Sequence, residues 1–167
     1  MYAAAAGPEA WPALRAAQAA GADAEPGCGL VVLADCGEAD NIHPVDKAVV
    51  GRRLALLALD TVYGRPVHGV SPRLAGASRG GAGQVILRFA HAAGGMRCAG
   101  GDPGVRLAGP DGQFAPAQVS VIGTDTLLAQ SPAVPAPRAV RYAWYNFGPA
   151  GLYGGTGLPA APFSVSL

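Results

Sequence analysis

The chain is predicted to be mixed, α/β up to Tyr63 and all-β from Gly64 onward. Three observations carry this prediction. Two stretches with helical apolar spacing, Pro8 to about Ala20 and about Val45 to Val62, flank one continuous apolar run, "LVVLAD" from Leu30 to Asp35. Beyond Gly64 the hydrophobic residues come in short runs instead: "QVILRFA", "GVRLAG", "AQVSVIG", "TLLAQS", "AVRYAWY" and "PFSVSL". Glycine and proline separate these runs, and turn signals such as Pro110-Asp111-Gly112-Gln113 join them, which is the texture of an antiparallel sandwich or barrel.

In the first helix, Pro8 is tolerated in a first turn, Glu9 suits the positive end of the dipole, and Trp11, Leu14 and Gln18 share one face. Pro12 offers an alternative start. "GADAEPGCG" is a loop by its Gly, Asp and Pro content. "LVVLAD" reads as a strand buried on both faces, as in a parallel sheet flanked by helices. In the second helix Asp46 is expected in the first turn, with Val50, Leu54, Leu57 and Thr61 recurring at helical spacing. A boundary belongs near Gly64–Ser71, dividing residues 1–63 from residues 64–167. One strand with two helices is a layered unit rather than a domain, because a lone strand leaves its backbone N–H and C=O groups unpaired. The first part therefore reads as the end of a larger α/β domain. The second, roughly a hundred residues, is long enough for a core of its own.

Half of the 167 residues are hydrophobic, 14% are charged and the net charge is +1, which describes a globular chain. Lys47 is the only lysine and Arg52–Arg53 the only adjacent arginine pair, so nucleic acid, which demands concentrated positive charge, is not an expected partner. No uncharged apolar run reaches the ~18 residues of a membrane span. The alanine-rich N-terminus lacks the basic region and apolar core of a signal peptide. Cys28, Cys36 and Cys98 have no CxxC spacing and are expected to be ordinary thiols.

Chemistry concentrates in "GEADNIHPVDK". Asp40 stands three residues before His43, and Pro44 pushes His43 out of the helical region. The imidazole is thereby expected at the mouth of a helix and the carboxyl end of a strand, where open α/β sheets build their sites. A carboxylate so placed can accept a hydrogen bond from Nδ1 and fix the tautomer, leaving Nε2 to take a proton. Such general-base help supplies ~10²–10⁴-fold, given a nucleophile in reach. The plain alternative is a helix cap and a surface histidine.

Other constellations are weaker. Gly76-Ala77-Ser78-Arg79-Gly80 fits G-x-S-x-G, but that elbow needs a strand before the serine and a helix after it, and here "GGAG" and a β run follow. Ser78 is expected at a strand end or turn. Cys36, Glu38, Asp40 and His43 include no second histidine and match no common zinc pattern, so no metal ligand is expected. His68 and His91 read as ordinary polar positions. Tyr142, Trp144, Tyr145, Phe147 and Tyr153 could form a sugar-stacking surface, although strand alternation is expected to put Tyr142 and Trp144 in the core.

"ALRAAQAA", "LVVLADCGEADNIHPVDKAVVGRRLALLALDTVYG" and "AVRYAWYNFGPAGLYGGTGLPAAPFSVSL" resemble, in order and separation, the carboxyl-terminal part of sialate O-acetylesterases and related bacterial carbohydrate esterases of the SGNH hydrolase class. The resemblance implies the terminal βα portion of a three-layer SGNH domain over residues 1–63 and a β-sandwich-like module over residues 64–167. It implies hydrolysis of O-acetyl esters on sugars or sialic acids, with no metal or organic cofactor. His43 matches the family's catalytic histidine and Asp40 the acidic residue three before it. The family's nucleophilic serine, in a Gly-Gln-Ser-Asn block, and its oxyanion-hole glycine and asparagine lie upstream and have no counterpart in this chain. The resemblance thus implies a carboxyl-terminal part that is inactive alone. Relatives of this kind are often secreted, periplasmic or lysosomal. The alternative of another class is a non-catalytic β-sandwich module that binds carbohydrate or protein.

Overall fold

Helix α1 spans Ala10–Ala24 and helix α2 spans Ala48–Thr61. The computed structural model describes residues 7, 9–41 and 43–167, so the predicted helix start at Pro8 lies outside the described residues. Pro12 does not delay α1. It occupies the third helical position, where its missing N–H has no intrahelical acceptor to lose. Of the face predicted to hold Trp11, Leu14 and Gln18, only Trp11 is half-buried, together with Arg15 and Ala19; Leu14 is 47% exposed and Gln18 is exposed. The docking is polar rather than leucine-driven. The Arg15 guanidinium donates to the carbonyls of Tyr145 at 2.6 Å and Ala143 at 3.1 Å, Glu9 pairs with Arg141 at 2.7 Å, and Asp23 pairs with Arg73.

In α2, which starts three residues later than predicted, Leu57 is buried but Leu54 and Thr61 are exposed. Asp46 lies before the helix, not in its first turn, and accepts the Ala48 N–H at 2.9 Å. The inward side carries Arg53, Leu57 and Asp60. Leu57 covers Gly29, and Asp60 accepts the Gly69 N–H at 2.7 Å. A Cβ at Gly69 would stand 2.1 Å from the Leu56 carbonyl oxygen, so the turn sits directly on the helix backbone. Gly69→Ala is expected to cost about 1–3 kcal/mol through forced displacement. Urea unfolding with an unchanged midpoint would show that α2 does not rest on this turn.

"LVVLAD" forms no strand, contrary to expectation. A strand is defined by a ladder, and no described segment pairs with it to complete one. Val32 is nevertheless buried, and Leu33 is 38% exposed.

Among the described residues all strands follow Gly64. They are β1 (Arg73–Arg79), β2 (Gln84–Ala90), β3 (Met96–Cys98), β4 (Val105–Ala108), β5 (Phe114–Pro116), β6 (Gln118–Val121), β7 (Thr126–Gln130), β8 (Ala139–Tyr142), β9 (Leu152–Gly154) and β10 (Phe163–Ser166). Two four-stranded antiparallel sheets, β1-β2-β7-β6 and β10-β8-β4-β5, share one hydrophobic core, and β3 pairs with β9 in a third small sheet. Alternation sends Val85, Leu87 and Phe89 of β2 inward opposite Val105 and Leu107 of β4 and Val140 and Tyr142 of β8. Phe163 joins the layers, with ring centroids 6.1 Å from Phe89 and 5.5 Å from Tyr142. The Tyr142 hydroxyl accepts the Leu152 N–H at 3.2 Å, so its burial leaves no polar group stranded.

The predicted turn over Pro110–Gln113 joins β4 to β5, with Gly112 at φ +72°. Tyr142 is core as expected, but Trp144 is not. β8 stops at Tyr142, and Ala143 takes φ +47°, which ends the alternation that the prediction assumed. The Trp144 ring instead lies 5.7 Å from the Arg141 guanidinium, and Arg141 also covers Phe114 at 4.2 Å.

Candidate active site

Asp40 and His43 lie on the segment between Asp35 and Arg53. Its base is closed by a bidentate ion pair: Arg53 NH1 and NH2 each reach an Asp35 carboxylate oxygen at 2.7 Å, and NH1 also donates to the Val32 carbonyl at 2.8 Å. The two side chains retain only 11% and 12% exposure. The carboxylate raises the Arg53 pKa further, and Tyr153 of β9 faces the same carboxylate; burial first, then Asp35, pushes its phenol upward. Burial, then Asp35, likewise raises the Cys36 thiol. The loop base is thus joined to helix α2 and to the β-sandwich at one buried point.

The loop tip is held by two side chains. Glu38 accepts the Val45 N–H on Oε1 and the Asn41 Nδ2–H on Oε2, both at 3.0 Å. Asn41 accepts the His43 N–H on Oδ1 at 2.9 Å and donates to the His43 carbonyl at 3.0 Å. These bonds, the Val45 N–H first and Asn41 second, hold the Glu38 carboxyl below its ordinary range. A group depressed by folding contributes fully above its unfolded pKa, and that contribution is lost as pH falls through the lower folded value. Acidification below about pH 4 is therefore expected to release the tip while the sandwich stays folded. Amide shifts of His43 and Val45 that stay constant through that range would contradict this.

Asp40 and His43 are both exposed. Among the described residues no hydrogen bond joins the carboxylate to the imidazole, and no serine is bonded to His43. The backbone of His43 is fixed while its ring is free to meet a group from outside. Catalytic hydrogen bonds are often long or unmade until the reacting complex forms. Ser78 lies within β1, paired with Ile86, so no nucleophile elbow exists there. His68 and His91 are exposed turn residues with positive φ. The three cysteines are free thiols, and no cluster of three or more metal-ligating side chains occurs among the described residues. Sequence reasoning missed Asp35, Glu38, Asn41 and Arg53 as a set. Arg53 stood out only as half of the adjacent Arg52–Arg53 pair, and the fold alone brings it back to Asp35.

A second feature is a cavity of about 190 Å³ between α1, the unladdered Leu30–Ala34 segment and the loop after β8, with Tyr145 and Phe147 in its wall. Burial pushes the Tyr145 phenol up to about 12, so it stays protonated. Neither Asp40 nor His43 lines this cavity.

With this arrangement the chain is similar to a solved carbohydrate esterase. The crystal structure of a carbohydrate acetylesterase from Xanthomonas citri superposes with a TM-score of 0.84 and 36% sequence identity over 93% of this chain. The chain spans 36% of the length of that structure. Identity and fold together relate the chain to carbohydrate esterases. No family model matches the chain, and no curated protein matches it.

Proposed function

We propose that the chain is the carboxyl-terminal, acid–base part of a serine-type carbohydrate O-acetylesterase of the sialate O-acetylesterase kind, hydrolysing O-acetyl esters on sugars. The observation that carries the reading is the exposed His43, its backbone N–H and C=O both bonded by Asn41, on a chain 36% identical to part of a carbohydrate acetylesterase. His43 Nε2 takes the proton of a serine hydroxyl as its oxygen attacks the acetyl carbonyl. The imidazolium then returns that proton to the departing sugar oxygen, and water repeats the sequence on the acetyl-enzyme. Asp40 serves His43 Nδ1. The serine and its oxyanion donors come from sequence outside these 167 residues. The unladdered "LVVLAD" segment, with the apolar cavity along it, supports this, because it is where a neighbouring strand of an α/β domain would pair.

The test is incubation of the 167-residue chain with p-nitrophenyl acetate and with an O-acetylated sialic acid. No turnover above buffer is expected. Turnover that vanishes in Ser78→Ala would overturn the reading.

Phe147, 55% exposed, and the Trp144 indole N–H, buried with no partner among the described residues, favour a second reading as a carbohydrate-binding β-sandwich. Titration with sugars discriminates. Binding lost in Trp144→Ala, with the fold intact, would support it.

A further inference from the structure

Asn41 holds both backbone polar groups of one residue. Its Oδ1 takes the His43 N–H at 2.9 Å and its Nδ2 gives to the His43 carbonyl at 3.0 Å. Fixing the N–H orients the peptide before His43, and fixing the C=O orients the peptide after it. Pro44 further confines His43 to extended geometry. Side-chain rotamers depend on φ and ψ, so a clamp on the backbone also narrows the directions open to the imidazole. The Oδ1 bond alone is an Asx-turn; the second bond, to the His43 carbonyl, extends it to both polar groups of a residue that is itself exposed.

The clamp is itself oriented. Asn41 Nδ2 makes a charge-assisted bond to Glu38 Oε2, whose other oxygen holds the Val45 N–H. That assigns the amide's O and N atoms without ambiguity, since a flipped amide would set its oxygen against the carboxylate. Glu38 is tied past His43 to Val45, so the bracket spans the histidine on both sides.

We propose that Asn41, oriented by Glu38, is the positioning residue of His43 and sets the direction in which the imidazole meets its nucleophile. The role of Asn41 in aiming a catalytic base rests on the esterase reading, but the clamp itself can be measured without activity, so the two fail separately. The experiment is nitrogen-15 relaxation and three-bond couplings on the isotopically labelled 167-residue chain, native and as Asn41→Ala and Asn41→Asp. In the native chain His43 is expected to show a rigid amide, with an order parameter about 0.85, and one dominant χ1 rotamer. In Asn41→Ala the order parameter should fall below about 0.6 and the rotamers should mix, with α2 and the sandwich unchanged. Asn41→Asp keeps an acceptor for the His43 N–H but loses both donated bonds, and should fall between. An ordered, single-rotamer His43 in Asn41→Ala overturns the proposal. So does loss of order that spreads through α2, because Asn41 would then brace the loop generally rather than aim the histidine. If the clamp behaves as expected and the chain proves never to serve an esterase, the structural inference stands and only the functional reading falls.

Discussion

Arg53→Ala is expected to remove about 3 kcal/mol of local stability from α2 and the loop it anchors, one of the two largest effects predicted for this chain. The reason is the carboxylate left behind. Asp35 is 12% exposed and takes two Arg53 bonds at 2.7 Å. Removing the guanidinium strands a nearly buried charge and also frees the Val32 carbonyl that it satisfied. Replacing both partners by apolar residues should cost far less, because a buried pair gains little over well-packed side chains, whereas breaking one leaves an uncompensated ion. Amide hydrogen exchange in α2 measures this directly. A loss below about 1 kcal/mol would place the pair with solvent-screened surface bridges.

The second large effect concerns chemistry. In a hybrid in which this chain replaces the matched region of the Xanthomonas citri acetylesterase, His43→Ala is expected to lower kcat by about 10²–10⁴-fold with KM little changed. A general base acts on the transition state and contributes little to holding the substrate, so the loss belongs in kcat. Asp40→Ala should cost less, since the role proposed for Asp40 runs through the imidazole and no hydrogen bond joins the two among the described residues. A His43→Ala hybrid that retains its rate would remove His43 from the reaction.

The two textures of the fold were legible because they rest on local periodicity. "QVILRFA" is β2 to the residue, and the five other quoted β runs each contain a strand. β1, β3, β5 and β9 were not legible. β1 carries glycine and exposed residues, including the G-x-S-x-G lookalike, and the other three are three-residue strands defined by their partners rather than by any pattern of their own. Helix faces failed for a related reason. Apolar spacing nominated Leu14 and Leu54, but Arg15 and Arg53 decide which sides turn inward, through acceptors more than a hundred residues away for Arg15 and 18 to 21 residues back for Arg53. "LVVLAD" shows the opposite limit. Its composition is that of a central strand, yet composition cannot form a ladder without a neighbour. At the candidate site the Asp40–His43 spacing was visible, while the Glu38–Asn41 clamp was not, because polar residues in a loop look alike until their bonds are known.

The most direct measurement of the central claim is the deacetylation rate of that hybrid esterase before any substitution. If this chain supplies the acid–base end of a carbohydrate O-acetylesterase, the hybrid should hydrolyse an acetylated sugar at a rate near that of its parent, and His43→Ala should lower that rate by about 10²–10⁴-fold. A hybrid that folds, binds the sugar and yet releases no acetate would contradict the claim.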